Sequence, residues 1–235
     1  MKRINVYLAG DSTVANYESA NSPQAGWGQL LPHFFSKEVS IWNKAVNGRS
    51  SKSFIDEGRL STIAKQLKRN DYLFIQFGHN DSKPEKVRRT DPYTTYQEHL
   101  LKYIETARTN DAVPILVTPI QRRKFNPDGS INETHGEYPG AMRQIASDYG
   151  VHLIDLTEQS TRLLHNLGAE NSKKLFMWID RNVSPNFPEG AQDDTHLNFD
   201  GAKEVAELIA ISVAGLPTRL ADYVQLPHQK SNCEK

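Results

Sequence analysis

Five short apolar segments, separated by stretches with helical periodicity, constrain the fold of this chain more than any other feature. Continuous apolar runs bounded by turn residues are typical of buried strands, whereas apolar residues three and four positions apart are typical of amphipathic helices. Strands that alternate with helices predict an α/β domain, in which a parallel sheet carries helices on both faces. The predicted strands span residues 4–9, 38–43, 71–77, 112–119 and 151–156.

The remaining residues divide into helices, loops and a tail. Two polar stretches, residues 120–136 and 171–198, show no clear element, and loops of that length are usually functional in a compact domain. We expect residues 1–216 to form a single domain and residues 217–235 to form a polar C-terminal tail. Helices are predicted over residues 26–35, 60–67, 96–107, 138–149, 157–168 and 199–213.

Charge and cysteine content exclude several classes of function. Lys plus Arg and Asp plus Glu both total 28, so no net positive charge is available to bind nucleic acid or a membrane surface. The single cysteine, Cys233, excludes a disulfide framework and a cysteine-based metal site. Since neither a long apolar span nor a signal-peptide pattern is present, we expect a cytoplasmic protein; the oligomeric state stays open.

The first predicted strand ends in the turn Gly10-Asp11-Ser12-Thr13. Open α/β sheets bind their ligands at the carboxyl ends of the strands. A serine at such a turn has its hydroxyl outside the sheet and backbone N–H groups beside it, as a nucleophile that faces an anionic intermediate requires. The same residues also form a good turn and helix cap, so this turn alone does not decide between the two roles.

Three further polar groups accompany this turn, namely Asn47-Gly48-Arg49-Ser50, Gly78-His79-Asn80-Asp81 and Asp193-Asp194-Thr195-His196. Ester hydrolysis by nucleophilic attack needs a hydroxyl, a base, an acceptor that orients the base, and donors to the oxyanion. We interpret Ser12 as the nucleophile, His196 as the base and Asp193 as the acceptor. The N–H groups of Ser12 and Gly48 and the Asn80 amide are the predicted oxyanion donors. Taken singly, each of these residues also fits an ordinary turn or cap.

These blocks resemble those of the SGNH (GDSL-like) hydrolases, and they follow that family's order across nearly the whole chain. The matching residues are Gly10-Asp11-Ser12, Gly48, Gly78-His79-Asn80-Asp81 and Asp193-x-x-His196. The resemblance implies a flavodoxin-like three-layer α/β/α sandwich with a five-stranded parallel sheet. It also implies the same three catalytic residues, the same oxyanion hole and a reaction without a metal or organic cofactor.

Within that superfamily, the chain resembles the rhamnogalacturonan acetylesterases. This resemblance implies a serine esterase that removes acetyl groups from pectin-derived oligosaccharides through an acyl-enzyme. Because such enzymes are often secreted, the absence of a leader favours a member that works on imported pectin fragments. The segments that carry the resemblance are residues 9–15, 26–28, 43–51, 76–81, 134–139 and 194–198.

Several side chains near these segments are candidates for contacts with the sugar. The cations of the 120–136 insertion are either ligands of galacturonate carboxylates or solvated loop charges, and the aromatic candidates could equally belong to the core. The predicted lining of the substrate cleft is Trp27, Arg49, His135 and Tyr138, and the insertion cations are Arg122, Arg123 and Lys124.

Four alternatives stay open at this point. A metal-dependent phosphoesterase is disfavoured because the first strand lacks an Asp-x-His pair and no His-x-His follows. An α/β-hydrolase is disfavoured because no Gly-x-Ser-x-Gly elbow occurs. A broader carbohydrate or xylan acetylesterase, or a thioesterase or lysophospholipase, would use the same site. A carbohydrate-binding protein without catalysis would keep the fold, although the intact site residues argue against it.

Overall fold

A five-stranded sheet forms the centre of the computed structural model, which describes residues 3–226. All neighbouring strands run parallel, in the order β2-β1-β3-β4-β5. This is the flavodoxin-like strand order, so the predicted fold class is confirmed. The strands are β1 (Ile4–Gly10), β2 (Val39–Asn43), β3 (Tyr72–Gln76), β4 (Val113–Val117) and β5 (His152–Ile154).

Helices cover both faces of this sheet, because each strand presents apolar side chains alternately to the two sides. In β1, Ile4, Val6 and Leu8 pack into one core cluster, whereas Tyr7 and Ala9 pack into the other. The first cluster includes residues of α1 (Trp27–Leu30), α6 (Leu156–Asn171) and α7 (Phe199–Ala214). The second includes residues of α2 (Ser51–Asp56), α3 (Arg59–Ala64), α4 (Gln97–Thr109) and α5 (Tyr138–Asp148).

None of the helices within residues 3–226 combines the length and the apolar character that a membrane span requires.

Two structural regions differ from the prediction. The stretch 171–198 contains an antiparallel pair, β6 (Phe176–Ile179) and β7 (Ala191–Leu197). β7 escaped prediction because its sequence, Ala-Gln-Asp-Asp-Thr-His-Leu, is polar and does not alternate. The beginning of the predicted tail is also packed, since Arg219–Tyr223 form a short 3-10 helix with Leu220 fully buried. Residues 227–235 of that tail, with Cys233, lie outside the described residues.

The start of α7 fixes the position of β7, which precedes it directly. Asn198 caps this helix by accepting a hydrogen bond from the Gly201 N–H at 3.0 Å. Gly201 lies so close to the 3-10 turn formed by Ser172–Leu175 that an added Cβ would come within 1.9 Å of the Leu175 carbonyl oxygen. This close approach holds α7, and hence β7 immediately before it, against the body of the domain.

Gly201→Ala is therefore expected to destabilise the protein by about 1–3 kcal/mol, because the new methyl group overpacks a backbone contact. Helix propensity alone predicts the opposite sign, a gain of up to ~1 kcal/mol. Urea denaturation measures the difference. Gly215→Ala is the matched control, since its Cβ would meet nothing closer than 3.5 Å. A Gly201→Ala protein as stable as this control would contradict the packing argument.

Candidate active site

The carboxyl ends of β1, β2 and β3 meet at one edge of the sheet, beside the point where the strand order reverses. β1 is hydrogen-bonded to β2 on one side and to β3 on the other. From β1 the chain adds β2 on one side of the sheet, and it then crosses back to add β3, β4 and β5 on the other side. Ligand sites of open α/β sheets lie at such points. A cleft of about 480 Å³ opens at this edge, and its lining includes Ser12, Gly48, Asn80, Asp193 and His196.

Three of the predicted residues form a continuous hydrogen-bonded chain in this cleft. His196 Nε2 lies 3.0 Å from Ser12 Oγ, and His196 Nδ1 lies 2.6 Å from Asp193 Oδ2. The other oxygen of Asp193 accepts from the backbone N–H groups of Thr195 at 2.7 Å and His196 at 3.0 Å. Because the carboxylate only accepts, Nδ1 carries the proton and Nε2 presents its lone pair to the Ser12 hydroxyl.

The environment of Asp193 keeps this carboxylate ionised. Partial burial raises its pKa, but the hydrogen bonds from the His196 side chain and from the backbone N–H groups of His196 and Thr195 outweigh that effect and lower the pKa to about 2. At neutral pH the carboxylate therefore stays an acceptor that orients the imidazole.

A buried chain of hydrogen bonds fixes the turn that presents Ser12. Asp11 Oδ1 accepts from the N–H of Thr13 at 2.9 Å and from its hydroxyl at 2.8 Å. Gln76 Nε2 donates to Thr13 Oγ1, and Trp27 Nε1 donates to Gln76 Oε1, each at 2.7 Å. Burial raises the pKa of Asp11 to about 6, against the lowering effect of the bonds from Thr13. The nucleophile turn is thus braced from β3 and α1.

The prediction that Trp27 contacts the substrate is wrong. Its side chain is 1% exposed, because the indole packs in the core and its N–H is used by Gln76. The residue acts on Ser12 only through the chain of hydrogen bonds behind the turn.

The predicted oxyanion donors come together at the cleft. Asn80 Nδ2 donates to the Arg49 carbonyl oxygen at 3.1 Å, which ties the turn after β3 to the Gly48 loop and leaves its second N–H for a ligand. Within residues 3–226, the backbone N–H groups of Ser12 and Gly48 have no acceptor. Gly48 has a φ of +77°, a left-handed conformation that favours glycine. This conformation allows the Gly48 loop to present its unpaired N–H group to the cleft.

Asp81 holds the turn that carries Asn80. Its buried carboxylate accepts from the backbone N–H groups of Ser51 and Gly78, both at 3.0 Å, and from the hydroxyls of Ser51 and Thr90. Burial raises its pKa to about 7, against the lowering effect of the Ser51 hydrogen bonds. This network joins the end of β3 to the start of α2.

Tyr138 belongs to this network rather than to the substrate cleft, so its predicted sugar contact is also wrong. Its side chain is buried, and its hydroxyl donates to the backbone carbonyl oxygens of Asp81, at 3.0 Å, and Thr90. Its ring packs edge-on against Tyr96 in the core.

His135 is the third predicted sugar contact that the structure overturns. It is 1% exposed, and its Nε2 lies 2.8 Å from the Ile120 carbonyl oxygen. Burial lowers its pKa to about 4, and the nearby Arg122 charge adds to that shift. The ring packs edge-on against the buried His79, whose pKa burial also lowers. His79 lines the floor of the cleft, whereas His135 lies behind it.

Of the four cations predicted to contact the substrate, one lines the cleft. Arg49 binds Glu57 at 3.1 Å, and its side chain is not part of the cleft lining. Arg123 is buried and paired with Asp194 at 2.7 Å, and Lys124 is exposed outside the cleft. Arg122 is the one member of the insertion cluster that lines the cleft.

Sequence reasoning missed several residues of the cleft. Tyr17 donates its hydroxyl to the Ser12 carbonyl oxygen at 2.9 Å. It comes from the polar loop after the nucleophile turn, where no periodicity distinguished it. Adjacency to Gly48 was a usable signal for Asn47. The other missed lining residues are Asn21, Gln24, Lys83 and Thr195.

Among the described residues, no three His, Cys, Asp or Glu side chains are grouped so as to hold a metal ion.

Comparisons with known proteins agree with this geometry. The family model of GDSL-like lipases and acylhydrolases matches residues 6–209. The Bacillus subtilis rhamnogalacturonan acetylesterase RhgT is 45% identical over 223 residues, which cover 95% of each chain. A probable rhamnogalacturonan acetylesterase of the same organism, YesY, is 40% identical over 91% of this chain and 94% of its own.

A solved structure supports the same relationship. The crystal structure of the Bacillus subtilis protein YxiM matches with a TM-score of 0.78 and 29% identity, over 92% of this chain and 58% of that longer chain. The resemblance seen in the sequence blocks is confirmed, because the family match includes both the Ser12 turn and strand β7 with His196. The chain belongs to the family of GDSL-like lipases and acylhydrolases.

Proposed function

We propose that this protein is a serine esterase that removes acetyl groups from rhamnogalacturonan oligosaccharides through an acyl-enzyme. The observation that carries the proposal is the aligned chain from Ser12 Oγ through His196 to Asp193, open to a cleft of about 480 Å³. The substrate class comes from the names of two relatives that match nearly the whole chain. A cleft of this size is in the range of small-ligand sites.

The first half-reaction forms the acyl-enzyme. His196 Nε2 takes the proton of the Ser12 hydroxyl while Oγ attacks the acetyl carbonyl carbon. The resulting oxyanion accepts from the N–H groups of Ser12 and Gly48 and from the free N–H of Asn80. As the tetrahedral intermediate collapses, the bond to the sugar oxygen breaks, and the imidazolium gives its proton to that oxygen.

The second half-reaction releases acetate. A water molecule loses a proton to His196 Nε2 and attacks the same carbonyl carbon, again with the oxyanion held by the three donors. The bond to Ser12 Oγ then breaks, and Oγ recovers the proton from the imidazolium. Asp193 stays ionised throughout and stabilises the charged imidazolium.

Asn80→Ala is expected to lower kcat by about 10²–10³-fold with a much smaller change in KM, because it removes a donor that acts on the transition state. Steady-state kinetics of acetate release measure this effect. Asn132→Ala is the control, since that side chain is exposed and lies outside the cleft. A loss confined to KM would show that Asn80 binds the ground state instead.

A substrate panel tests the proposed function. Acetate release is measured from acetylated rhamnogalacturonan oligosaccharides, acetylated xylo-oligosaccharides and an aryl acetate, with and without EDTA. Preference for the rhamnogalacturonan substrate, unaffected by EDTA, supports the proposal. Turnover of the aryl acetate alone would leave a serine esterase with another substrate, and EDTA-sensitive turnover would favour a metal-dependent enzyme. No turnover at all would favour a binding protein.

The cytoplasmic location stays a prediction, which fractionation of the native cells tests.

A further inference from the structure

Arg122 is a partly buried cation in the wall of the cleft without an acidic partner. It lines the same cleft as Ser12 and His196, and no carboxylate of the described residues lies within 4 Å of its guanidinium. Burial lowers its pKa, and the charge of the Asp11 carboxyl, which makes no ion pair with the guanidinium, opposes that shift only in part. The adjacent Arg123 is different, because it is buried in a 2.7 Å ion pair with Asp194.

Neutral acceptors hold this guanidinium in place. Nη1 donates to the carbonyl oxygen of Thr134 at 3.0 Å and to its hydroxyl at 3.2 Å, and Nη2 donates to the His79 carbonyl oxygen at 3.2 Å. His135 Nδ1 lies 3.5 Å from Nη1. Because His135 is neutral and its Nε2–H faces the Ile120 carbonyl, Nδ1 presents a lone pair to the guanidinium. The side chain is thus oriented before any ligand arrives.

Part of the hydrogen-bonding capacity of Arg122 is unused. Its Nε–H and one of the two Nη2 hydrogens have no acceptor among residues 3–226. A guanidinium binds a carboxylate through two parallel N–H groups. The free Nε–H and Nη2–H groups of Arg122 are therefore available to donate to the two oxygens of a carboxylate.

A second cation of the cleft lining adds to the attraction for an anionic ligand. Lys83 also lines it and forms no ion pair within the described part of the chain. The carboxylate that lines it, Asp193, uses both oxygens for His196 and Thr195. Two cations without an ion-pair partner among the described residues therefore line the cleft that contains Ser12.

We propose that Arg122 binds the carboxylate of a uronic acid residue in the substrate, with Lys83 adding positive charge at the rim of the cleft. The inference rests on the proposed function and deepens it, because it makes a charged sugar, rather than the acetyl group, the source of substrate selectivity. A neutral xylan acetate would leave the Arg122 charge partly buried and unpaired.

A matched pair of substrates tests this role. Acetylated rhamnogalacturonan oligosaccharides are prepared with free carboxylates and as their methyl esters, and kcat/KM for acetate release is measured on both. We expect the native protein to prefer the carboxylate form by about 10- to 100-fold, as a charge-assisted hydrogen bond in a desolvated site supports. Arg122→Gln should bring this ratio close to one, whereas Lys124→Gln should keep the native ratio.

The Arg122→Lys variant distinguishes the contribution of the positive charge from that of the planar guanidinium. This variant keeps the positive charge but loses the planar fork, so the ratio should fall between those of the native protein and Arg122→Gln. It also serves if the glutamine variant does not fold. A native ratio near one, or the same ratio in all three proteins, would overturn the proposal.

An inhibition measurement keeps this test independent of the proposed function. Hydrolysis of an aryl acetate is followed with unacetylated galacturonate oligosaccharide as competitor, and its Ki should rise about tenfold or more in Arg122→Gln. If native protein releases no acetate from rhamnogalacturonan but shows this Ki shift, the function fails and the carboxylate site stands. An unchanged Ki would overturn the carboxylate site, whatever the natural ester is.

Discussion

Ser12→Ala is expected to lower kcat/KM for acetate release by at least ~10⁴-fold, because it removes the only atom that can form the acyl-enzyme in the proposed reaction. The Ser12 hydroxyl lies 3.0 Å from His196 Nε2, and no other hydroxyl is hydrogen-bonded to that nitrogen among the described residues. Residual turnover would come from the oxyanion donors and from substrate binding. Acetate release under single-turnover and steady-state conditions measures the loss.

The alanine variant should fold normally, since Ser12 Oγ makes no other hydrogen bond within residues 3–226 and the turn is braced by Asp11, Thr13 and Gln76. A thermal melt within a few degrees of the native protein checks this expectation. Ser147→Ala, a change at an exposed position of α5, is the control for the substitution itself. A Ser12→Ala protein that keeps a few per cent of native turnover would refute the nucleophile assignment.

Asp193→Asn is expected to lower kcat by about 10³–10⁴-fold. The reason lies in the two backbone N–H groups, of Thr195 and His196, that both donate to Oδ1. In the variant they select the amide oxygen, so the amide NH₂ faces His196 Nδ1. The imidazole must then accept at Nδ1 and carry its proton on Nε2, where it can no longer take a proton from Ser12.

Asp193→Ala gives the comparison that isolates this tautomer effect. Alanine removes the orienting acceptor but imposes no tautomer, so we expect the asparagine variant to be no more active than the alanine variant, although asparagine is closer in shape. Rates of acetate release from the two proteins decide the point. An asparagine variant with near-native kcat would contradict the role of Asp193 as an obligatory acceptor.

The central features of the fold were predictable because they depend on local pattern. Continuous apolar strands and apolar helix faces require no knowledge of the partner that covers them, and their alternation predicts a parallel sheet with helices on both faces. The order of the strands was implied only by the family resemblance. β7 was not predictable in this way, since its polar residues serve the site and not a core. The 3-10 helix around Leu220 depends on a distant pocket that local sequence does not reveal.

In the candidate site, too, some residues were predictable from local sequence and others were not. Ser12 and His196 are 184 residues apart, yet both could be predicted because strand-end turns and the Asp-x-x-His spacing mark them. The substrate contacts failed at Trp27, His135 and Tyr138 because sequence does not tell which way an aromatic ring faces. All three are buried and hold the site from behind. Arg122 became distinguishable from Arg123 only once their acidic neighbours were known.

Covalent labelling tests the central claim most directly, namely that Ser12 Oγ attacks the ester. The protein is treated with an alkyl phosphonate that mimics the tetrahedral intermediate, and the modified peptide is mapped by mass spectrometry. We predict one adduct per chain, on Ser12, formed in parallel with the loss of acetate release and absent from Ser12→Ala. Labelling of another residue, or full turnover after Ser12 is labelled, would contradict the account.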